Sequence, residues 1–210
     1  MLKQRSLLAA LFGFAVLVVA PAAMALSIEA VATPFEGDDT EVKIVLTESG
    51  GDIIVTLDVV KNHADLRAVY FNIADDSLLD GISVTGDDVT DFETHTSNLG
   101  PGTNLVGTGN PCPCDFGVEL GIQGSGGEQG RGPDYIESTS FVISHNTLDL
   151  LIEQFAEQVA GIRATGVGPE VCFDGSAKLS LTLPVAVPEP ASALLVGIGL
   201  ALLGARSRRR

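Results

Sequence analysis

The chain has 210 residues, 12 Lys and Arg against 27 Asp and Glu, and a formal net charge of −15, yet 45% of it is hydrophobic and its mean hydropathy is +0.32. The two properties are segregated: residues 7–20 and 191–205 carry no charge, whereas residues 26–184 hold 26 acids against six bases (Lys43, Lys61, Arg67, Arg131, Arg163, Lys178), a net charge of −20. This balance excludes a nucleic-acid-binding domain, which needs a basic footprint, and the regular Val, Ile, Leu and Phe content of the middle excludes a disordered chain.

At the N-terminus, Lys3 and Arg5 precede the apolar run Leu7–Ala20, and Ala23-Met24-Ala25 follows as a small-x-small cleavage site. This is the three-part layout of a secretory signal, with cleavage expected after Ala25, so residues 1–25 are assigned to a signal peptide. The run is shorter than the roughly 20 residues a spanning helix needs.

Residues 26–184 are long enough for one exported domain of about 160 residues. Apolar residues alternate with polar ones at Val42-Ile44-Leu46, Ile53-Val55-Leu57-Val59, Val69-Phe71-Ile73 and Ile82-Val84. The pattern returns at Val118-Leu120-Ile122, Phe141-Ile143 and Leu179-Leu181-Leu183. A period of two puts one face on a core and the other in water. Ser49-Gly50-Gly51-Asp52 is placed to close a hairpin, and Asp80-Gly81 and Thr85–Asp88 break the later runs. The expected fold is all-β, an antiparallel β-sandwich of jelly-roll-like type. One segment has a helical period: Leu148, Leu151, Ile152, Phe155 and Val159, with Asn146 or Thr147 as cap and Asp149 in the first turn, predict one short amphipathic helix. Gly121–Gly132 has few side chains able to fix it and reads as a mobile surface loop.

Asp65–Gly86 resembles the strand, acidic turn and strand of cohesin-like sandwich domains. That resemblance spans about 20 residues and implies a fold rather than a partner.

The candidate chemistry is sparse. Cys112, Cys114 and Cys172 lie in the exported part, where oxidation is favoured. A bridge from Cys172 to Cys112 or Cys114 would close a loop of about 60 residues, worth roughly 4 kcal/mol on the chain-entropy argument. A thiolate metal site needs four ligands at recognisable spacing, and His63, His95 and His145 stand isolated. No nucleophile elbow forms at Ser125, because Gln123 stands where glycine is required. HExxH is absent and Gln129 breaks GxGxxG, so no catalytic residues are assigned and no enzyme activity is expected. The acidic turns Glu36–Glu41, Asp75–Asp80 and Asp87-Asp88 read chiefly as solvated surface. Calcium is the one cofactor they would suit, with Asp75, Asp76 and Asp80 as weak candidate ligands. Carbohydrate platforms use exposed aromatics. The chain has no Trp, and Tyr70 and Tyr135 are the tyrosines that outward placement would make available, against ordinary packing.

The C-terminus reads Val187-Pro188-Glu189-Pro190, then the uncharged Ala191–Ala205, then Arg206, Ser207, Arg208, Arg209 and Arg210. Prolines keep the first part extended, and the apolar run suits a transmembrane helix over 191–205. The arginines hold the end on the cytoplasmic side, leaving the N-terminus outside. Fifteen residues reach about 22 Å, short of roughly 30 Å of hydrocarbon, which makes a poor permanent anchor. Residues 187–210, with these three features in order, closely resemble the PEP-CTERM sorting signal of exported proteins of Gram-negative bacteria. The resemblance implies recognition by exosortase, a membrane-embedded cysteine protease, cleavage near the Pro-Glu-Pro motif, transient membrane anchoring, and release to the cell surface or extracellular matrix. It also associates the protein with exopolysaccharide and biofilm. The leading expectation is thus a non-enzymatic surface or matrix protein with exosortase, and exopolysaccharide or other matrix proteins, as partners. A carbohydrate- or calcium-binding module is the alternative, and a secreted hydrolase the weaker one.

Overall fold

The computed structural model describes residues 26–107, 112–121, 135–171 and 173–188. The signal segment 1–25, the span 191–205 and most of the glycine-rich segment lie outside them. Among the described residues no helix is long and apolar enough to cross a membrane.

The fold is all-β. Its strands are β1 (Leu26–Gly37), β2 (Glu41–Ser49), β3 (Asp52–Lys61), β4 (His63–Phe71), β5 (Ile82–Thr85) and β6 (Val89–Thr94). They continue with β7 (Phe116–Leu120), β8 (Ser138–His145), β9 (Val159–Gly168), β10 (Gly175–Thr182) and the two-residue β11 (Val187–Pro188). Ten strands form one antiparallel sheet in the order β5-β8-β3-β2-β1-β10-β9-β4-β7-β6, and β11 pairs with β1 outside that path. The end strands β5 and β6 approach each other, so the sheet is nearly closed.

Each of the seven alternating runs lies largely within a strand, and the β2–β3 hairpin turns where expected. Gly50 and Gly51 have φ of 65° and 91°, the left-handed conformations a two-residue hairpin of the favoured hand demands and that glycine adopts freely. The strand, acidic turn and strand of residues 65–86 also form, as β4, a 3-10 turn at Asp76–Gly81, and β5. Strand β1 joins the two halves of the sheet: Ser27–Ala32 pair with β2, and Thr33–Gly37 pair with β10. Its register shifts between Pro34 and Glu36, as expected where proline cannot donate to a ladder.

The interior is one continuous apolar cluster drawn from both halves. At its centre Phe71 stacks on Phe116 with ring centroids 5.3 Å apart, and Phe155 meets both rings edge-on at 6.1 and 6.5 Å.

The expected helix after Thr147 does not form. Only Ile152–Gln154 makes a 3-10 turn, while Leu148 and Leu151 are 54% and 48% exposed. The cause is where the backbone donors go: Leu150 N–H bonds Gly51 O at 2.8 Å, Ile152 N–H bonds Glu48 Oε2 at 2.9 Å, and Leu151 N–H bonds Gln154 Oε1 at 3.0 Å. The β2–β3 hairpin takes the donors a helix would have kept, and Val159 starts β9 instead.

Candidate functional site: where the first strand meets the sorting motif

Leu26, the residue after the expected signal cleavage, opens β1. Strand β11 returns to that same point, with Leu26 opposite Pro188 and Ser27 opposite Val187. Leu183 is fully buried, and beyond it Ala186 still packs, half-buried, against the core. The Leu183 N–H bonds Gln158 O at 2.9 Å and its carbonyl accepts from Glu157 N–H at 2.8 Å. Three residues then lead to β11, of which Val185 is 59% exposed, and Val187 in β11 is 55% exposed. Of the expected sorting residues, Val187 and Pro188 are therefore placed on β1, whereas Glu189, Pro190, Arg206, Arg208, Arg209 and Arg210 lie outside the described residues. So do Ala23 and Ala25.

Residues 186–210 match the family described as the PEP-CTERM protein-sorting motif. The chain carries a PEP-CTERM sorting signal. The motif implies export and membrane-anchored processing by exosortase, in agreement with the order of proline pair, apolar run and arginine tail. A search of the curated proteins finds no match to the chain, and neither does a search of the solved structures.

The other candidate residues are dispersed. Asp75, Asp76 and Asp80 surround the 3-10 turn before β5. Asp75 Oδ1 caps that turn, accepting from Ser77 N–H at 3.0 Å and Ser77 Oγ at 2.6 Å. Those bonds favour the charged form and hold the Asp75 carboxyl below its usual range. Among the described residues no three His, Cys, Asp or Glu side chains are grouped to hold a metal.

Cys112 and Cys114 lie beside each other, their Cα atoms 4.9 Å apart, while Cys172, the other end of the expected long bridge, lies outside the described residues. Cys112 is buried, with Sγ 3.8 Å from Asn72 Oδ1. Backbone bonds next to the pair hold this segment beside the end of β4: Asp115 N–H bonds Phe71 O at 2.9 Å, and Ile73 N–H bonds Asp115 Oδ2 at 2.8 Å. The two sulfurs are thereby kept local to each other.

Neither tyrosine supplies an open platform. Tyr70 does leave the core face of β4, but residues 97–105 cover it: its hydroxyl donates to Thr103 O at 2.7 Å and accepts from Leu99 N–H at 3.3 Å. Burial pushes its phenol up, partly opposed by those bonds. Tyr135 donates to Gly166 O at 2.9 Å. Leu105 is fully buried and seats directly over Gly161 of β9, where a Cβ would strike Leu105 Cδ1. Tyr70, Leu105, Ala68, Cys112 and Cys114 form a second apolar cluster on the outer face of the sheet.

Sequence reasoning missed two features here. One is a buried polar set near the start of β4, beside Ile136. Asp65, fully buried, accepts from Ile136 N–H at 2.9 Å and lies 3.6 Å from Arg67 Nη1. In the strand sequence Asp65 and Arg67 flank Leu66 exactly as solvent-facing residues would, so alternation disguised them. The neighbouring Arg163 guanidinium is pushed down by burial and donates to Ala164 O and Ala177 O at 3.0 and 2.9 Å. The other missed feature is β1 itself, whose Ala-rich Leu26–Gly37 lacks a strong apolar alternation although it receives the sorting motif.

Proposed function

We propose that this is a non-enzymatic protein of the cell envelope or extracellular matrix, exported with an N-terminal signal peptide removed after Ala25. In this reading a transient helix over 191–205 holds it in the inner membrane with its N-terminus outside and Arg206–Arg210 in the cytoplasm. Exosortase then processes it near Pro188-Glu189-Pro190. The observation that carries the reading is the PEP-CTERM motif at residues 186–210.

The working part is the acidic domain 26–184, which we read as a β-sandwich whose halves share β1. It uses no cofactor and assigns no residue to catalysis. A net charge near −20 keeps such a domain soluble and self-repelling in the envelope, and association with exopolysaccharide or with other matrix proteins is its proposed role. Tyr70, fully buried, has no ring face free for an aromatic sugar contact.

Replacing Pro188, Glu189 and Pro190 with alanine should leave the full-length protein in the membrane fraction, while the wild type yields an ectodomain whose two ends are read by mass spectrometry. Release of the variant ectodomain at the wild-type rate would refute processing through this motif.

A further inference from the structure

The sorting motif does not hang on a free stalk. Its first two residues are the last strand of the domain, laid on the first strand of the mature protein: Pro188 opposite Leu26 and Val187 opposite Ser27. Pro188 lies only five positions beyond Leu183, which the fold holds by burial and by two backbone hydrogen bonds. Fully extended, those five steps reach about 17 Å. A protease reads its substrate as an extended segment, commonly by adding it as a strand to its own edge, which needs that segment's backbone groups and room around them. In β11 one backbone edge is already committed to β1.

Resting on the sorting reading above, we propose that β1 is a latch on the sorting motif: Leu26 and Ser27 hold Val187 and Pro188 against the domain, and exosortase gains the motif when β11 opens. The latch is weak by construction. It is two residues long, one of its members is a proline without a donor, and Val187 and Val185 remain more than half exposed, so little apolar surface holds it shut. It slows processing without blocking it. It is also set by the other processing event, because the strand that makes it begins where the signal peptide ends. Both hydrophobic ends of the precursor therefore leave the domain from one edge.

Two variants of the full-length protein, expressed in a bacterium that carries the sorting system, move the latch in opposite directions without touching the motif. Deletion of Leu26 and Ser27 removes the receiving residues and should raise the rate of ectodomain release about fivefold, the equivalent of one net hydrogen bond. Ser27→Val places a second β-branched side chain opposite Val187 and should slow release about two- to threefold through the cross-strand pair. Pulse labelling reads the rates, and thermal melting of the released ectodomains checks that both variants fold. Equal rates in the deletion, Ser27→Val and wild type overturn the latch, as does slower release of the deletion, which would make β1 a presenter of the motif. If the wild type is released no faster than the triple-alanine variant of residues 188–190, the sorting reading itself has failed, and the two failures are thereby told apart.

Discussion

The two halves of the sheet obey different rules. Along β2 and β3 the burial follows the sequence residue by residue: Val42, Ile44, Leu46, Ile53, Val55 and Leu57 are fully buried and each neighbour is more open. Along β4 every residue from Ala64 to Phe71 is buried, and β9 is nearly the same. The difference comes from residues 97–105 and 112–115, which lie over the outer face around Ala68 and Tyr70 and make a second interior there, and from residues 135–136, which bond Asp65, Leu66 and Gly166 farther along β4 and β9. A strand with one wet face announces itself by alternation, whereas a strand covered on both faces does not have to.

The sharpest test of that contrast is Leu105→Ala. If the covering segment is a second core, loss of this buried side chain over Gly161 should cost about 2–5 kcal/mol, seen as a clear drop in melting temperature; a cost near that of a surface change would mean that the face is effectively open. Tyr70→Phe should cost less, about 1–2 kcal/mol, since it leaves the ring in place and removes the hydroxyl that joins Thr103 O and Leu99 N–H. It also carries a pH signature. Burial raises the folded phenol above its ordinary value of 10.0, so the unfolded chain gives up its proton first. The Tyr70 contribution is complete below pH 10 and is withdrawn as pH rises beyond it, and Tyr70→Phe should flatten that alkaline part of the stability profile. The smallest effect belongs to the other half: Lys43→Ala, on the wet face of β2, should stay within about 0.5 kcal/mol of wild type by denaturant unfolding.

Legibility followed the same division. Seven runs of period two lie in strands, and the Ser49–Asp52 hairpin was readable because two consecutive left-handed residues call for glycines. Strand β9 was not, because Gly161, Gly166 and Gly168 interrupt any alternation, and its closest neighbours are a covering leucine and a phenylalanine. The helical period of Leu148–Val159 misled for a related reason. Leu150, Ile152 and Phe155 are indeed buried, but the β2–β3 hairpin claimed the backbone donors of Leu150 and Ile152, and a spacing pattern carries no information about who takes a hydrogen bond. The cysteines show the same limit, since the place of Cys112 and Cys114 beside β4 depends on how their segment folds back. At the candidate site the motif was legible in full, and its receiving strand was not.

The sorting address is local. A proline pair, an apolar run and an arginine end are properties of consecutive residues that the export machinery reads along the chain, and no folding is needed to recognise them. The all-β class is nearly as local, because side-chain alternation is built into the strand backbone. Where the address sits on the domain is different in kind. Leu26 and Pro188 are 162 positions apart and lie opposite each other only because ten strands close a sheet between them. The fold therefore brings Leu26 and the sorting motif together and sets β1 against it.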